Sequence, residues 1–313
     1  MTKNSPLPLG YHPAVSAARY HADALCAGPS LSSSLAKTIT EKTPLMAWLD
    51  HPRMNPNFAE RKAAREAKEN AKFDLGSAVH DWLSSGGERV KILAGFDDYK
   101  SKAAQTLRDH TRDQGFIPLL VKQSEQAQRI VEQVDGTLDR RGIKLGAREV
   151  VFIAQDHGVL VRAMMDAFKP PDIYDFKITS INLANDNAIG RHLVDMHYDL
   201  RAAFYLRVAE LVFPDWAGRL RFHWIMVEKD EPYGVRIIDC DNTFAEMGGR
   251  KYRHALGVWQ ECLEEGRWPH LEHMGRTVPY PSFMENDWLE REQAPGHVMG
   301  PVEMLKRGDE GKL

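Results

Sequence analysis

Cysteine is scarce in this chain of 313 residues: Cys26, Cys240 and Cys262 lie far apart, and no Cys-x-x-Cys pair occurs. That excludes a cysteine-only zinc site or an iron–sulfur cluster, and it describes reduced thiols rather than a disulfide framework. No apolar run approaches the ~18 residues of a membrane span. Met1-Thr2-Lys3-Asn4-Ser5 has no apolar leader, so the sequence predicts a cytoplasmic protein with no membrane role. Basic charge is not in excess either. Lys and Arg number 41 against 44 Asp and Glu, a formal net charge of -3. A bulk polycation is thereby excluded, while a local basic groove is not. There is no phosphate-binding Gly-rich loop ending in Lys-Ser/Thr and no Gly-x-Ser-x-Gly elbow. Nucleotide-driven and serine-driven chemistry therefore has nothing to rest on.

What is present is an ordinary globular composition, 43% hydrophobic and 27% charged, in a chain long enough to bury a real core. Residues 1–30, rich in Pro, Gly, His and Ala, read as a poorly ordered lead-in. Ser32-Ser33-Ser34 offers N-caps for a helix, and Pro44 suits the first turn of a second one before Leu49. Phe58 to about Ser85 is helical, with Leu75, Val79 and Leu83 forming a stripe. Residues 100–135 read as a helix pair broken near Gly115-Phe116-Ile117-Pro118. The period then changes to that of strands. Glu149–Ala154 and Val159–Phe168 form a hairpin around Asp156-His157-Gly158, and Ile173–Ile178 is a third strand. A helix over about 190–212, a hairpin over Arg219–Glu228 and Val235–Cys240, and a helix over Thr243–Gly266 follow. The order predicts an α/β protein with one domain over 31–270, a helical N-terminal region and a flexible tail over 271–313.

Chemistry concentrates between Val161 and Ile178. Side chains alternate faces along a strand, so Arg162, Met164 and Asp166 share one face and Asp175 and Lys177 share another. If the two strands are neighbours, two carboxylates and an ammonium converge. Ionised groups are costly on apolar strands unless paired or metal-bound, and a hard divalent cation relieves the repulsion between carboxylates. Acid-x-Lys also occurs at Glu60/Lys62, Glu66/Lys68, Asp98/Lys100 and Glu310/Lys312, on a charged helix, in a loop and in the tail. Only Asp175/Lys177 sits in an apolar strand with a strand-borne acid upstream. Spacing alone leaves open a surface ion pair on an edge strand.

Asp166 followed by Asp175-Phe176-Lys177 resembles the core of the PD-(D/E)xK nuclease superfamily, and most of all its RecE-like (exonuclease VIII) branch of phage and prophage recombination. Gly76-Ser77-Ala78-Val79-His80 resembles that branch's helix-borne Gly-x-x-x-His. Ser33-Ser34-Leu35 through Thr43-Pro44 resembles its early helical region, and Tyr198 through Tyr205 its Gln-x-x-x-Tyr helix. Val227-Glu228 through Val235 resembles its last hairpin. The likeness spans roughly residues 30–270. Two positions depart from the pattern: Arg201 replaces the Gln, and Met164 stands where a second basic residue is often found. The resemblance implies a restriction-endonuclease-like fold, a mixed central sheet flanked by helices. It implies Mg²⁺, with Mn²⁺ as a substitute, held by His80, Asp166, Asp175 and the backbone carbonyl of Phe176. Glu149 is placed as a second-metal or outer acid, or as an exposed strand-start residue. Lys177 would orient or deprotonate the attacking water.

Arg162, Arg201 and Tyr205 are candidate DNA contacts. The bland alternative for the last two is an amphipathic core helix with a snorkelling arginine. The reading favoured at this point is a metal-dependent exonuclease on linear double-stranded DNA ends. The resemblance implies 5′→3′ resection, a homo-oligomer and a RecT-like single-strand annealing partner. The rivals are a weakly active or inactive DNA-end-binding recombination module and a RecB-type repair endonuclease.

Overall fold

Short polar side chains start most of the helices. In the computed structural model, which describes residues 5–68, 74–271, 277 and 279–293, the chain runs through β1 (Gly10–His12), α1 (Ala17–His21), β2 (Leu31–Ser32), α2 (Ser33–Glu41), α3 (Pro44–Leu49), α4 (Phe58–Lys68) and α5 (Asp74–Ser85). It continues through β3 (Val90–Leu93), α6 (Lys102–Asp113), β4 (Ile117–Leu120), α7 (Val121–Arg140), β5 (Ala147–Asp156), β6 (Val159–Lys169) and β7 (Asp172–Thr179). Then come α8 (Asp186–Asp195), α9 (Tyr198–Val212), β8 (Arg221–Glu228), β9 (Val235–Asp239), α10 (Asn242–Glu265) and α11 (Ser282–Gln293). Ser16, Ser32, Thr43, Ser101, Asn185 and Asp241 each accept a backbone N–H of the following first turn, satisfying donors a helix start otherwise leaves unpaired.

Among the described residues, seven strands form the main sheet in the order β1-β5-β6-β7-β8-β9, with β2 also on β6. β7 and β8 are parallel, as are β2 and β6, and the remaining pairs are antiparallel. On one face Phe152, Phe222 and Trp224 are buried with Leu35 of α2, Phe204 of α9 and Trp259 of α10. The other buries Tyr174, Phe176 and Ile225 against Val79 of α5 and Ile130 and Val134 of α7. The mixed sheet flanked by helices is the predicted fold class. A separate two-stranded sheet pairs β3 with β4; β4 begins in the stretch read as a helix break, and β3 lies where no element was expected. Among the described residues no helix is long and apolar enough to cross a membrane.

Three expectations need correcting. Residues 5–30 are not a loose lead-in: β1 pairs with β5, and Tyr20, Asp23, Leu25, Cys26 and Ser30 are buried. Their irregular spacing hides this, because their partners lie far along the chain. The helix read over 190–212 is two helices. His197 adopts a left-handed backbone with φ 56°, which no continuous helix accommodates. The helical reading from Phe58 to about Ser85 meets α4 and α5, with residues 69–73 lying outside the described ones. The chain divides into two units, residues 1–270 and 271–313. The second carries α11, where no element was expected.

Candidate active site

β6 changes partners along one edge, and that change creates the site. Its Ala167–Lys169 end pairs with β7, and its Val161–Arg162 end pairs with β2. β5 covers the other edge throughout, except that the register passes over Glu149 and Asp166, which lie opposite each other. Asp166 thus stands where β7 has left and β2 has not yet joined. Its Oδ2 accepts the backbone N–H of Phe176 at 2.8 Å, and the carboxylate takes the place of a strand carbonyl.

Charged groups from four elements meet at this split. His80 of α5 places Nε2 3.0 Å from Asp166 Oδ1. Lys177 forms an ion pair with Asp175, and its Nζ donates to the Phe176 carbonyl at 3.0 Å. Arg201 of α9 places Nη1 3.3 Å from Asp175 Oδ1. The Tyr198 ring lies beside both cations, 5.0 Å from Lys177 Nζ and 5.9 Å from the Arg201 guanidinium. Asp175 is fully buried. The sequence-predicted residues His80, Asp166, Asp175, Phe176, Lys177 and Arg201 are therefore brought together.

The electrostatics follow from that crowding. The Asp166 carboxylate next to His80 raises the imidazole pKa, in spite of burial. Burial works to raise the pKa of Asp166, but the charge and hydrogen bond of His80, with Lys177 and the Phe176 N–H, hold it below the usual carboxylate range. Burial lowers the pKa of Lys177, and Asp175 opposes that shift. A depressed ammonium gives up a proton more readily than a surface lysine does. Burial pushes Tyr198 up to about 12, so it stays a neutral phenol.

Two of the proposed DNA contacts, Arg162 and Tyr205, are buried. Arg162 is buried, with Nη1 2.8 Å from Asp23 Oδ1 and hydrogen-bonded to the Ser30 carbonyl and hydroxyl. Its charge is taken up by an acid of the N-terminal segment. Tyr205 is 5% exposed; it packs against Phe222 and lies within electrostatic reach of Arg201, Asp175 and Asp166. Glu149 lies near the site but on its α5 side, where its Oε1 accepts Ser84 Oγ at 3.1 Å. Ser84 was missed from the sequence, although its spacing of four from His80 on one helix was a usable signal. Arg89 and the buried Asp81 were missed as well. Arg89 Nε lies 2.6 Å from Asp81 Oδ1. An open cleft of about 1120 Å³, lined among others by Ser32, Ser34, Lys62, Arg89 and Glu149, borders this side.

The donors present fit a divalent metal ion. Asp175 is a buried carboxylate whose Oδ2 faces the Lys177 ammonium, and beside it stand an imidazole nitrogen, a second carboxylate and the Phe176 carbonyl. Oxygen donors with one imidazole suit Mg²⁺ or Mn²⁺. Among the described residues no three His, Cys, Asp or Glu side chains are already set at metal-holding spacing. Lys177 and Arg201 hold Asp175 while His80 holds Asp166.

Comparisons with known proteins agree with this architecture. No curated protein matches the chain. A crystal structure from Eubacterium rectale, of a protein provisionally named an exonuclease, shares the fold with a TM-score of 0.51 and 14% identity, over 87% of this chain and 98% of its own. A phage related exonuclease from Haemophilus somnus 129PT aligns at 10% identity over 76% of this chain and 96% of its own, with a TM-score of 0.31. The sequence profile of the family described as "PDDEXK-like domain of unknown function (DUF3799)" matches residues 53–274. That stretch holds His80, Asp166, Asp175, Lys177 and Arg201 and well over half of the chain, and the protein belongs to this PDDEXK-like family.

Proposed function

We propose that this protein is a metal-dependent deoxyribonuclease that degrades linear double-stranded DNA from its ends. The observation that carries the reading is the β6–β7 split, where two strand-borne acids, His80 and Lys177 share one locus. His80, Asp166, Asp175 and the Phe176 carbonyl would hold Mg²⁺, with Mn²⁺ able to substitute. Such an ion supplies a Lewis acid for the scissile phosphate and a bound water of lowered pKa. Lys177 would orient the attacking water and, once its ammonium has given up its own proton, accept one from it. Arg201, about one-third exposed at Asp175, has an edge free to take a phosphate oxygen, a partner the guanidinium geometry suits. The cleft beside Glu149 has room for a DNA strand.

Action at ends rather than at internal sites rests on the RecE-like resemblance and on the exonuclease name of the Eubacterium rectale neighbour. Polarity of 5′→3′, a homo-oligomer and a RecT-like annealing partner belong to the same proposal.

The test is digestion of linear, 5′-phosphorylated duplex beside closed circular DNA, in Mg²⁺, Mn²⁺ or EDTA, by the parent and by Lys177→Ala. Loss of the linear substrate alone, abolished by EDTA and by Lys177→Ala, is the expected result. Cleavage of the circle would favour a repair-type endonuclease. Intact DNA in both metals would overturn catalysis and leave an end-binding module, a reading that the saturation of Asp175 by Lys177 and Arg201 would then explain.

A further inference from the structure

We infer that Ser84 and Glu149 are positioning residues that hold the His80 imidazole, with Nε2 turned toward Asp166 and Nδ1 held from behind. The inference rests on the nuclease reading for its metal. Ser84 Oγ lies 2.6 Å from the His80 carbonyl, 3.1 Å from Glu149 Oε1 and 3.4 Å from His80 Nδ1. The first two neighbours can only accept. The single hydroxyl proton is therefore claimed by them, and the oxygen faces Nδ1 as an acceptor. Nδ1 must then carry its proton, and Nε2 is the nitrogen left for a metal once it gives up its own. A histidine ligand is commonly oriented by a carboxylate or carbonyl on its other ring nitrogen. Here a serine passes that restraint on from Glu149.

The backbone is shaped for this contact. Glu149 has φ 45°, a left-handed conformation that non-glycine residues rarely adopt. It lies at the position the β5–β6 ladder passes over. The departure from strand geometry lets its carboxylate meet α5. Arg89, with Nη2 3.9 Å from Glu149 Oε1 and anchored on Asp81, supports it from the cleft side. Glu149 thus acts through Ser84 on His80 and is not itself a metal ligand.

Three measurements test this. Mn²⁺ affinity of the DNA-free protein, by calorimetry, should fall about 10- to 100-fold in Ser84→Ala and in Glu149→Ala, the range for outer-sphere partners of a ligand. It should stay within about threefold of the parent in isosteric Glu149→Gln, whose amide oxygen still accepts from Ser84. In DNA digestion, kcat should drop in the two alanine variants with KM for DNA unchanged. In the metal-free protein, the His80 Nδ1–H resonance, assigned by its loss in His80→Asn, should exchange slowly in the parent and in Glu149→Gln. It should exchange fast in Ser84→Ala. Equal weakening by Glu149→Gln and Glu149→Ala would make Glu149 a ligand and overturn the inference. So would a slowly exchanging Nδ1–H in Ser84→Ala. A parent that binds no Mn²⁺ would sink the nuclease reading, and the exchange measurement would still decide the relay.

Discussion

Asp23 and Asp156 are buried acids that face arginines. Asp156 accepts two bonds from Arg207, at 2.9 and 2.7 Å, and one from the Tyr252 hydroxyl at 2.7 Å. Asp23 is held by Arg162, Ser30 and His51. Removing one partner of a buried pair leaves a bare charge, which typically costs about 3–5 kcal/mol. Arg162→Ala leaves Asp23 with Ser30 and His51, so the loss in urea denaturation should be smaller, about 1–3 kcal/mol. Burial acts to raise the pKa of Asp23, but His51, Arg162 and Ser30 outweigh it and hold the carboxyl below its usual range. A folded-state pKa that is depressed adds stability above the unfolded value, and that stability is lost as pH falls through the folded one. The stability gap between the parent and Asp23→Asn should accordingly be full at pH 7 and shrink below about pH 4. A gap that is constant between pH 7 and pH 3 would refute the assignment. At the split, Lys177→Ala should lower kcat by about 10²–10³, the usual effect of removing one group that stabilises developing charge. Asp166, Asp175 and Lys177 were legible in the sequence because charges are conspicuous in apolar strands. Arg162 was equally conspicuous, but its pairing with Asp23 was not legible, because Asp23 lies in a segment without periodicity.

Between elements, α9 and α10 approach closely at Gly248. A Cβ at Gly248 would lie 2.0 Å from the Asp199 carbonyl oxygen and 2.5 Å from its carbon, both backbone atoms that cannot swing away. Gly248→Ala should destabilise by about 1–3 kcal/mol through overpacking. Gly257, on the exposed side of the same helix with open space around it, should gain up to about 1 kcal/mol as Ala from helix propensity alone. Chemical denaturation of the two variants, side by side, checks both signs. Because α9 carries Arg201 and Tyr198 to the site, the Gly248 contact also fixes how deep those side chains sit. Strands and helices were legible because their periods are local. The break at His197 was not, since a single left-handed residue leaves the apolar pattern on either side intact.

For the first unit as a whole, the N-terminal segment is part of the sheet and of the buried charge network. Deleting residues 1–30 removes β1, α1, Asp23 and Ser30 and leaves Arg162 buried without its acid. The melting temperature, followed by circular dichroism, should fall by roughly 5–10 °C, given the cost of a stranded charge and the usual scaling for a domain of this size. An unchanged melting temperature would show the segment to be dispensable. This breadth of integration explains why the boundary expected at residue 31 is invisible in the fold.

Element types, the order of the strands along the chain and the acid–lysine motif could be read in one dimension, because hydrophobic period, capping hydroxyls and misplaced charges are properties of neighbours in sequence. Three things emerged only in three dimensions: the exchange of β7 for β2 along β6, the burial of Arg162 on Asp23, and the contact of Ser84 and Glu149 behind His80. Each joins residues far apart in the chain, and no local pattern records which of several possible partners a buried charge will meet once the sheet has assembled.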